Sequence, residues 1–228
     1  SMDSAEDLFI ADNNILYVAD TKNNRILKFD KNKNLLNIYT GSYDAASDTF
    51  MAFNAPRGLF VDKSGIIYVA DSQNKRIVKL TNEGDTIEVF GVPQSNLLNQ
   101  SVKDNYTPAK IYVADTGYLY VVVKEAVMTL DMNNEFRGFY GQAAIPFDFK
   151  LALFRMLGLK KYVENTAKTY AKFYINISGA PDGMIYATTL DSVGGEIKKL
   201  NSVGKNIYKS YGGAGGGDRL PVRGVQSG

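Results

Sequence analysis

The chain has 228 residues, 26 Lys or Arg against 24 Asp or Glu, and neither cysteine nor histidine. Those absences exclude a thiol nucleophile, a Ser-His-Asp triad, a histidine base and the usual zinc and copper sites; Ca²⁺ or Mg²⁺ on carboxylates and carbonyls is the metal chemistry left. A net charge of +2 exerts no strong pull on nucleic acid or anionic membrane, and no apolar run approaches bilayer length.

Ser1-Met2 reads as a cloning scar, so no leader can be judged from it. Short apolar runs rich in β-branched and aromatic residues then recur at Leu8 to Ile10, Ile15 to Asp20, Arg25 to Phe29 and Ile38 to Tyr39. The clearest copy follows between Ala55 and Gly91, with runs at Gly58 to Val61, Ile66 to Ala70, Arg76 to Leu80 and Thr86 to Phe90. Asp-Lys-Ser-Gly, Asp-Ser-Gln-Asn-Lys and Asn-Glu-Gly-Asp separate them, the pattern of an antiparallel meander with tight turns.

A third copy runs through Pro108 to Val113, Tyr118 to Val123, Val127 to Leu130 and Arg137 to Tyr140. Tyr112 to Asp115 repeats the letters of Tyr68 to Asp71, yet Gly117 has to match Gly65, which puts this YVAD on a first strand and Leu119-Tyr120-Val121 on the second. A fourth copy takes Ile175 to Ile177, Gly183 to Ala187, Ile197 to Leu200 and Ile207 to Tyr211. Closing glycines at 41, 91, 141 and 212 give steps of 50, 50 and 71 residues, and Arg223-Gly224-Val225 repeats Arg57-Gly58-Leu59 as the opening of a fifth unit.

Meanders at this period predict an all-β propeller, one blade per copy. The first-strand columns Leu8/Leu59/Ile111/Ile175 and Ile10/Val61/Val113/Ile177 are aliphatic throughout and are expected to be wedged between blades. The long links Ser42 to Asn54, Val92 to Thr107, Gln142 to Lys172 and Gly213 to Val222 all emerge on one face, which is therefore the elaborated one.

The longest link predicts a helical insertion over 146–172. Pro146 and Asp148 start one helix over Phe149 to Leu157, and Gly158 breaks it from a second. Leu159, Tyr162, Val163, Thr166, Ala167, Tyr170, Ala171 and Tyr174 form the stripe of that second helix. Lys160, Lys161, Lys168 and Lys172 face away from it, either simply solvated or as a surface for a protein partner.

Residues shared by several copies serve the scaffold, whereas a ligand pocket has to break the symmetry. Asp20 and Asp71 recur in the same turn and are expected to bond backbone N–H groups or to pair with Arg25 and Arg76. The symmetry-breaking columns hold Glu6-Asp7, Arg57-Gly58, Ala109-Lys110 and Phe173-Tyr174, with Phe9, Phe60, Tyr112 and Asn176 one step further in. Glu6, Asp7, Arg57, Lys110, Tyr174 and Asn176 are the candidate ligand residues; they converge on a small polar ligand or pair with one another and plug the channel mouth. Tyr211 to Arg219 lacks the ending of a phosphate loop and reads as a glycine-rich loop. Asp62-Lys63-Ser64-Gly65 and Pro181-Asp182-Gly183 lack the acidic twelfth position of a calcium loop and read as hairpin turns.

Pro56 to Ile77, P-R-G-L-F-V-D-x-x-G-x-I-Y-V-A-D-S-x-N-x-R-I, resembles the NHL repeat; the match is strong in the first two copies and fades in the third and fourth. The resemblance implies a ring of five or six blades, of which four are visible, within a single NHL-like domain over 1–228. Its histidine-ligated amidating relatives are excluded on ligands alone. The first expectation is a non-catalytic module that binds a protein or carbohydrate through the elaborated face, with no cofactor. One alternative is a Ca²⁺- or Mg²⁺-dependent lactonase-like hydrolase using Glu6, Asp7 and Asn176; another is RNA binding, which the small net charge disfavours. The repeat class and the abundance of Tyr, Asn and Lys resemble bacterial proteins exported to the cell surface, and a second copy could complete the ring by covering the open first and fourth units.

Overall fold

The computed structural model describes residues 1–12, 14–45, 47–98, 100–124, 126–140, 173–191, 194–202 and 204–207. The predicted helical insertion at 146–172 with Lys160, Lys161, Lys168 and Lys172, the glycine-rich stretch 211–219 and the fifth-unit opening at 223–225 lie outside these residues. No helix among the described residues is long and apolar enough to cross a membrane.

Four antiparallel meanders follow one another. The first blade is β1 (Ala5–Ile10), β2 (Leu16–Asp20), β3 (Arg25–Phe29) and β4 (Leu35–Tyr39). A hairpin of β5 (Gly41–Asp44) and β6 (Thr49–Ala52) leads to the second, β7 (Pro56–Val61), β8 (Ile67–Asp71), β9 (Arg76–Leu80) and β10 (Thr86–Phe90). The short helix α1 (Gln100–Asp104) precedes the third, β11 (Pro108–Val113), β12 (Leu119–Val123), β13 (Ala126–Leu130) and β14 (Phe136–Tyr140). The fourth is described through β15 (Phe173–Gly179), β16 (Ile185–Asp191) and β17 (Gly194–Leu200), followed by a bridge between Leu200 and Asn206. The YVAD at Tyr112 to Asp115 does begin on a first strand, which Tyr112 and Val113 close, and Leu119 opens the second, as the glycine anchor predicts.

Turn chemistry is local. The Asp62 carboxylate accepts the amides of Ser64 and Ile66, and Asp182 accepts that of Met184, so both calcium-loop look-alikes are hairpin turns. Asp30 and Asp131 do the same in the turns between the third and fourth strands of the first and third blades.

Blades pack through three apolar layers. Tyr17, Ala19, Ile26 and Tyr39 of the first blade meet Leu59, Val61, Val69 and Val78 of the second. Tyr68, Ala70, Ile77 and Phe90 meet Ile111, Val121, Met128 and Leu130 of the third. Tyr120, Val122, Val127 and Tyr140 meet Ile177, Ile185, Ala187 and Leu200 of the fourth. Each blade thus receives its predecessor on an aliphatic face and delivers an aromatic-rich face to its successor. Removing this surface from water is the main stabilising contribution of the repeat.

Two expectations are corrected. Leu8 and Ile10 are 64% and 60% exposed, because the first blade has no predecessor among the described residues; Leu59 and Val61 in the same columns are 2% and 4% exposed. In the fourth blade the register is two residues further along. Asn176 pairs with Thr188 and Ile177 with Ala187, matching Gly58 with Ala70 and Leu59 with Val69. Ile177 and Gly179, not Ile175 and Ile177, therefore fill the two aliphatic columns.

Candidate functional site at the propeller axis

The first strands β1, β7, β11 and β15 lie against one another as the innermost strands, and their N-terminal ends open on the face that carries the long links. Each has a β-bulge at the same point: between Ala5 and Asp7, Pro56 and Gly58, Pro108 and Lys110, and Tyr174 and Asn176. The extra residues are Glu6, Arg57, Ala109 and Ile175. A bulge re-aims the side chain it carries, which brings Glu6 and Arg57 together at the mouth and leaves Ile175 exposed.

Four of the six candidates form one cluster. Arg57 Nε lies 2.7 Å from Glu6 Oε2, and Lys110 Nζ lies 2.8 Å from Asp7 Oδ1. The other oxygen of Asp7 accepts the Leu59 amide at 2.9 Å. Lys110 also donates to the carbonyls of Glu6 and Arg57, so three oxygens surround a group with three protons to give. Gly58 makes room for that reach: a Cβ there would meet the Ala109 carbonyl oxygen at 2.1 Å and the Lys110 Cα at 2.9 Å.

Beneath the charges the axis is aromatic. Phe9 and Phe60 pack edge to face at 5.1 Å, Phe60 and Tyr112 at 5.6 Å, and Tyr112 and Tyr120 stack at 6.1 Å. In the fourth blade the column ends at Ser178, followed by Gly179, where a Cβ would meet the Tyr112 ring at 1.9 Å.

The remaining two candidates stand apart from the ion pairs. Tyr174 is buried beside Lys198, whose ammonium lies 5.5 Å from its ring; burial raises the phenol pKa, and its hydroxyl finds no partner among the described residues. Asn176 is exposed and accepts the Ile177 amide. It occupies the column of Asp7, Gly58 and Lys110, a position that the shifted register reveals.

This donor set does not suit a divalent cation. Each acid is already matched by a cation, Lys110 and Arg57 would repel a third positive charge, and among the described residues no three acidic side chains gather.

The recurring acids are structural, as predicted. Asp20 is held by Arg25 at 2.7 Å, by Asn23 and by the Asp3 amide; Asp71 is held by Arg76 at 2.7 Å, by Asn74 and by the Asn54 amide. Burial pushes the Asp20 carboxyl up, and the bonds from Asn23, the Asp3 amide and Arg25 outweigh it, leaving it below the ordinary carboxylate range. The hydroxyls of Thr21 and Ser72, which follow these two acids in the sequence, have a role of their own. Thr21 donates to the Pro56 carbonyl and Ser72 to that of Pro108, so each joins its blade to the next.

Residues 8–100 match the SMP-30/gluconolactonase/LRE-like region family. Over 88 residues the chain is 40% identical to NHL repeat-containing protein 2 of Bos taurus, covering 36% of this chain and 12% of that protein. Three solved structures share the fold. Virginiamycin B lyase from Staphylococcus aureus, solved with quinupristin, superposes with a TM-score of 0.51 at 16% identity, covering 86% of this chain and 52% of that one. Kuenenia stuttgartiensis hydrazine synthase gives 0.55 at 10%, covering 91% and 49%. A Bacteroides caccae protein gives 0.53 at 12%, covering 88% and 64%. The chain thus spans a small part of its curated relative and about half the length of the first two structures. The repeated blade motif and the four successive meanders make the chain a β-propeller, and its first two blades are similar to both the SMP-30/gluconolactonase/LRE-like region and an NHL repeat-containing protein.

Proposed function

We propose that the chain is a non-catalytic propeller module that binds a protein or a carbohydrate through its loop-rich face. The observation that carries this reading is the closure of the axial acids. Glu6 is matched by Arg57, and Asp7 by Lys110 and the Leu59 amide, so neither acid is available as a base or as a metal ligand without breaking an ion pair. The links support it as well. Tyr43, Phe50 and Met51 on the β5–β6 hairpin and Leu97 before α1 are exposed, as side chains that contact a partner have to be.

The match of residues 8–100 to a gluconolactonase-like region favours a second reading, a metal-dependent lactone hydrolase. Its ligands would be Glu6, Asp7 and Asn176, and the first two are engaged with cations. One pair of assays separates the readings. A panel of neutral and acidic oligosaccharides is titrated against the chain and against Phe50→Ala, and glucono-δ-lactone hydrolysis is followed with and without Ca²⁺. Saturable binding weakened by Phe50→Ala, with no enzyme-like turnover, supports the module; Ca²⁺-dependent hydrolysis abolished by Asp7→Asn would replace it with the hydrolase.

A further inference from the structure

Charge is nearly balanced over the whole chain but not along it. Residues 34–56 and 80–102 hold five acids, Asp44, Asp48, Glu83, Asp85 and Glu88, and no Lys or Arg, in a chain whose net charge is +2. The fold brings the two stretches together on the rim of the second blade, where the Tyr43 amide of the β5–β6 hairpin donates to the Thr86 hydroxyl of β10 at 2.8 Å. All five acids are exposed. Lys79, just before the second stretch, is bonded to Glu88 at 3.2 Å and is mostly buried.

Aromatic and aliphatic side chains stand among these acids. Tyr43 and Phe50 pair directly across the hairpin and are 48% and 59% exposed, and Ile87 and Val89 are exposed on β10. The rings are held in place. Tyr43 donates its hydroxyl to Asp48, and Phe50 lies over Gly41, where a Cβ would meet the tip of its ring at 2.6 Å. Beneath them the buried Arg76 fastens the hairpin to the blade, donating to Ser42 Oγ at 3.0 Å and to the Met51 carbonyl at 3.1 Å. A ring face carries the negative end of the aromatic quadrupole, so rings and carboxylates attract the same kind of group, a cation. The chain itself uses this contact between blades, with Lys28 5.8 Å from the Tyr17 ring and Lys79 5.7 Å from that of Tyr68.

We propose that this rim docks a protein partner that presents Lys or Arg side chains beside apolar ones, a basic amphipathic segment laid along the hairpin and β10. Its cations sit on the Tyr43 and Phe50 rings beside Asp44 and Asp48, and its apolar residues cover Ile87 and Val89. The inference rests on the reading of the chain as a binding module and names the chemistry of the partner. Complementary charge selects the occupant: the five carboxylates repel an acidic segment, and a neutral oligosaccharide leaves them unmatched.

Fluorescence anisotropy with labelled synthetic peptides, in which Leu alternates with Lys, Gln or Glu, tests this. The Leu-Lys peptide should bind saturably and the other two should not. Asp44→Asn with Asp48→Asn should weaken it about 3- to 10-fold, as the loss of two exposed charge pairs. Phe50→Leu keeps the apolar bulk and should weaken it about two- to fivefold. Asp12→Asn, an exposed acid in the turn after β1, should change nothing. Added NaCl should weaken the complex of the unaltered chain more than that of the double variant.

No saturable binding of the Leu-Lys peptide overturns the proposal, as does binding that Asp12→Asn weakens as much as the double variant. A carbodiimide cross-link from Asp44 or Asp48 to a lysine of the same chain also overturns it, because the rim would already be occupied. Neutral oligosaccharide bound at Phe50 instead would refute this inference and leave the binding module standing, whereas Ca²⁺-dependent lactone hydrolysis would remove the module itself.

Discussion

The hydroxyl of Thr21 donates to the carbonyl of Pro56 at 2.8 Å, fastening the turn after the second strand of one blade to the first strand of the next. Ser72 makes the same bond to Pro108 one blade later, and both hydroxyls are buried. Thr21→Val keeps the shape and leaves the Pro56 carbonyl without this donor, so a loss of about 1–2 kcal/mol is expected in urea unfolding. Ser72→Ala should cost a similar amount, and the two losses should add, because the bonds lie in different junctions. A change within error for both variants would remove the hydroxyls from the account of how blades are joined.

Asp71 and Arg76 form a fully buried pair, whereas the Arg25 partner of Asp20 is partly exposed. Asp71→Ala strands a buried guanidinium and should cost about 3–5 kcal/mol. In Asp20→Ala, water can reach Arg25, and a loss of about 1–3 kcal/mol is expected. Equal losses in denaturant unfolding would show that burial of the partner is not what sets the cost.

The sign of the acid response follows from Asp20. Its folded-state pKa is depressed, so its stabilising contribution is complete above the unfolded value near ~3.9 and is lost as pH falls through the lower folded value. Asp131 and Asp182 are lowered too, so the same window applies to the third and fourth blades. Thermal melts from about pH 5 downward should show falling stability, with a shallower slope in Asp20→Asn. A slope unchanged by that substitution would contradict the assignment.

Close approach at two glycines makes an asymmetric prediction. At Gly58 the obstructing atoms belong to the Ala109 and Lys110 backbone, so Gly58→Ala should be destabilising by about 2 kcal/mol or more with no single compensating change. At Gly179 the obstruction is the Tyr112 side chain, so adding Tyr112→Ala should recover part of what Gly179→Ala loses. A double variant no better than the sum of its parts would refute the contact.

Within the axial cluster, Lys110→Met leaves Asp7, which is mostly buried, without its cation, and a loss of about 1–3 kcal/mol is expected. Arg57→Met breaks a pair open to water and should cost under about 1 kcal/mol. Stabilisation by Lys110→Met in chemical unfolding would point instead to charge held in tension for a ligand.

Blade number, strand order and the displaced YVAD were legible because glycine-anchored turns fix register where letters mislead. The fourth blade was not. A shift of two residues keeps every side chain on the same face of a strand, so the alternation of Ile175 and Ile177 could not expose the error. Counting back four residues from Gly183, as Val61 stands before Gly65, would have reached Gly179. Grouping Glu6, Asp7, Arg57 and Lys110 was legible from broken symmetry, but which acid meets which cation depends on the bulge, which leaves no mark in composition. The β5–β6 hairpin and α1 escaped notice because links carry no repeat against which to be read.

The claim that the axial acids are closed by Arg57 and Lys110 is tested most directly by isothermal titration of the chain with Ca²⁺, repeated on Asp7→Asn. The account predicts no saturable heat in either protein and an unchanged melting temperature. One Ca²⁺ bound per chain and lost in Asp7→Asn would contradict it.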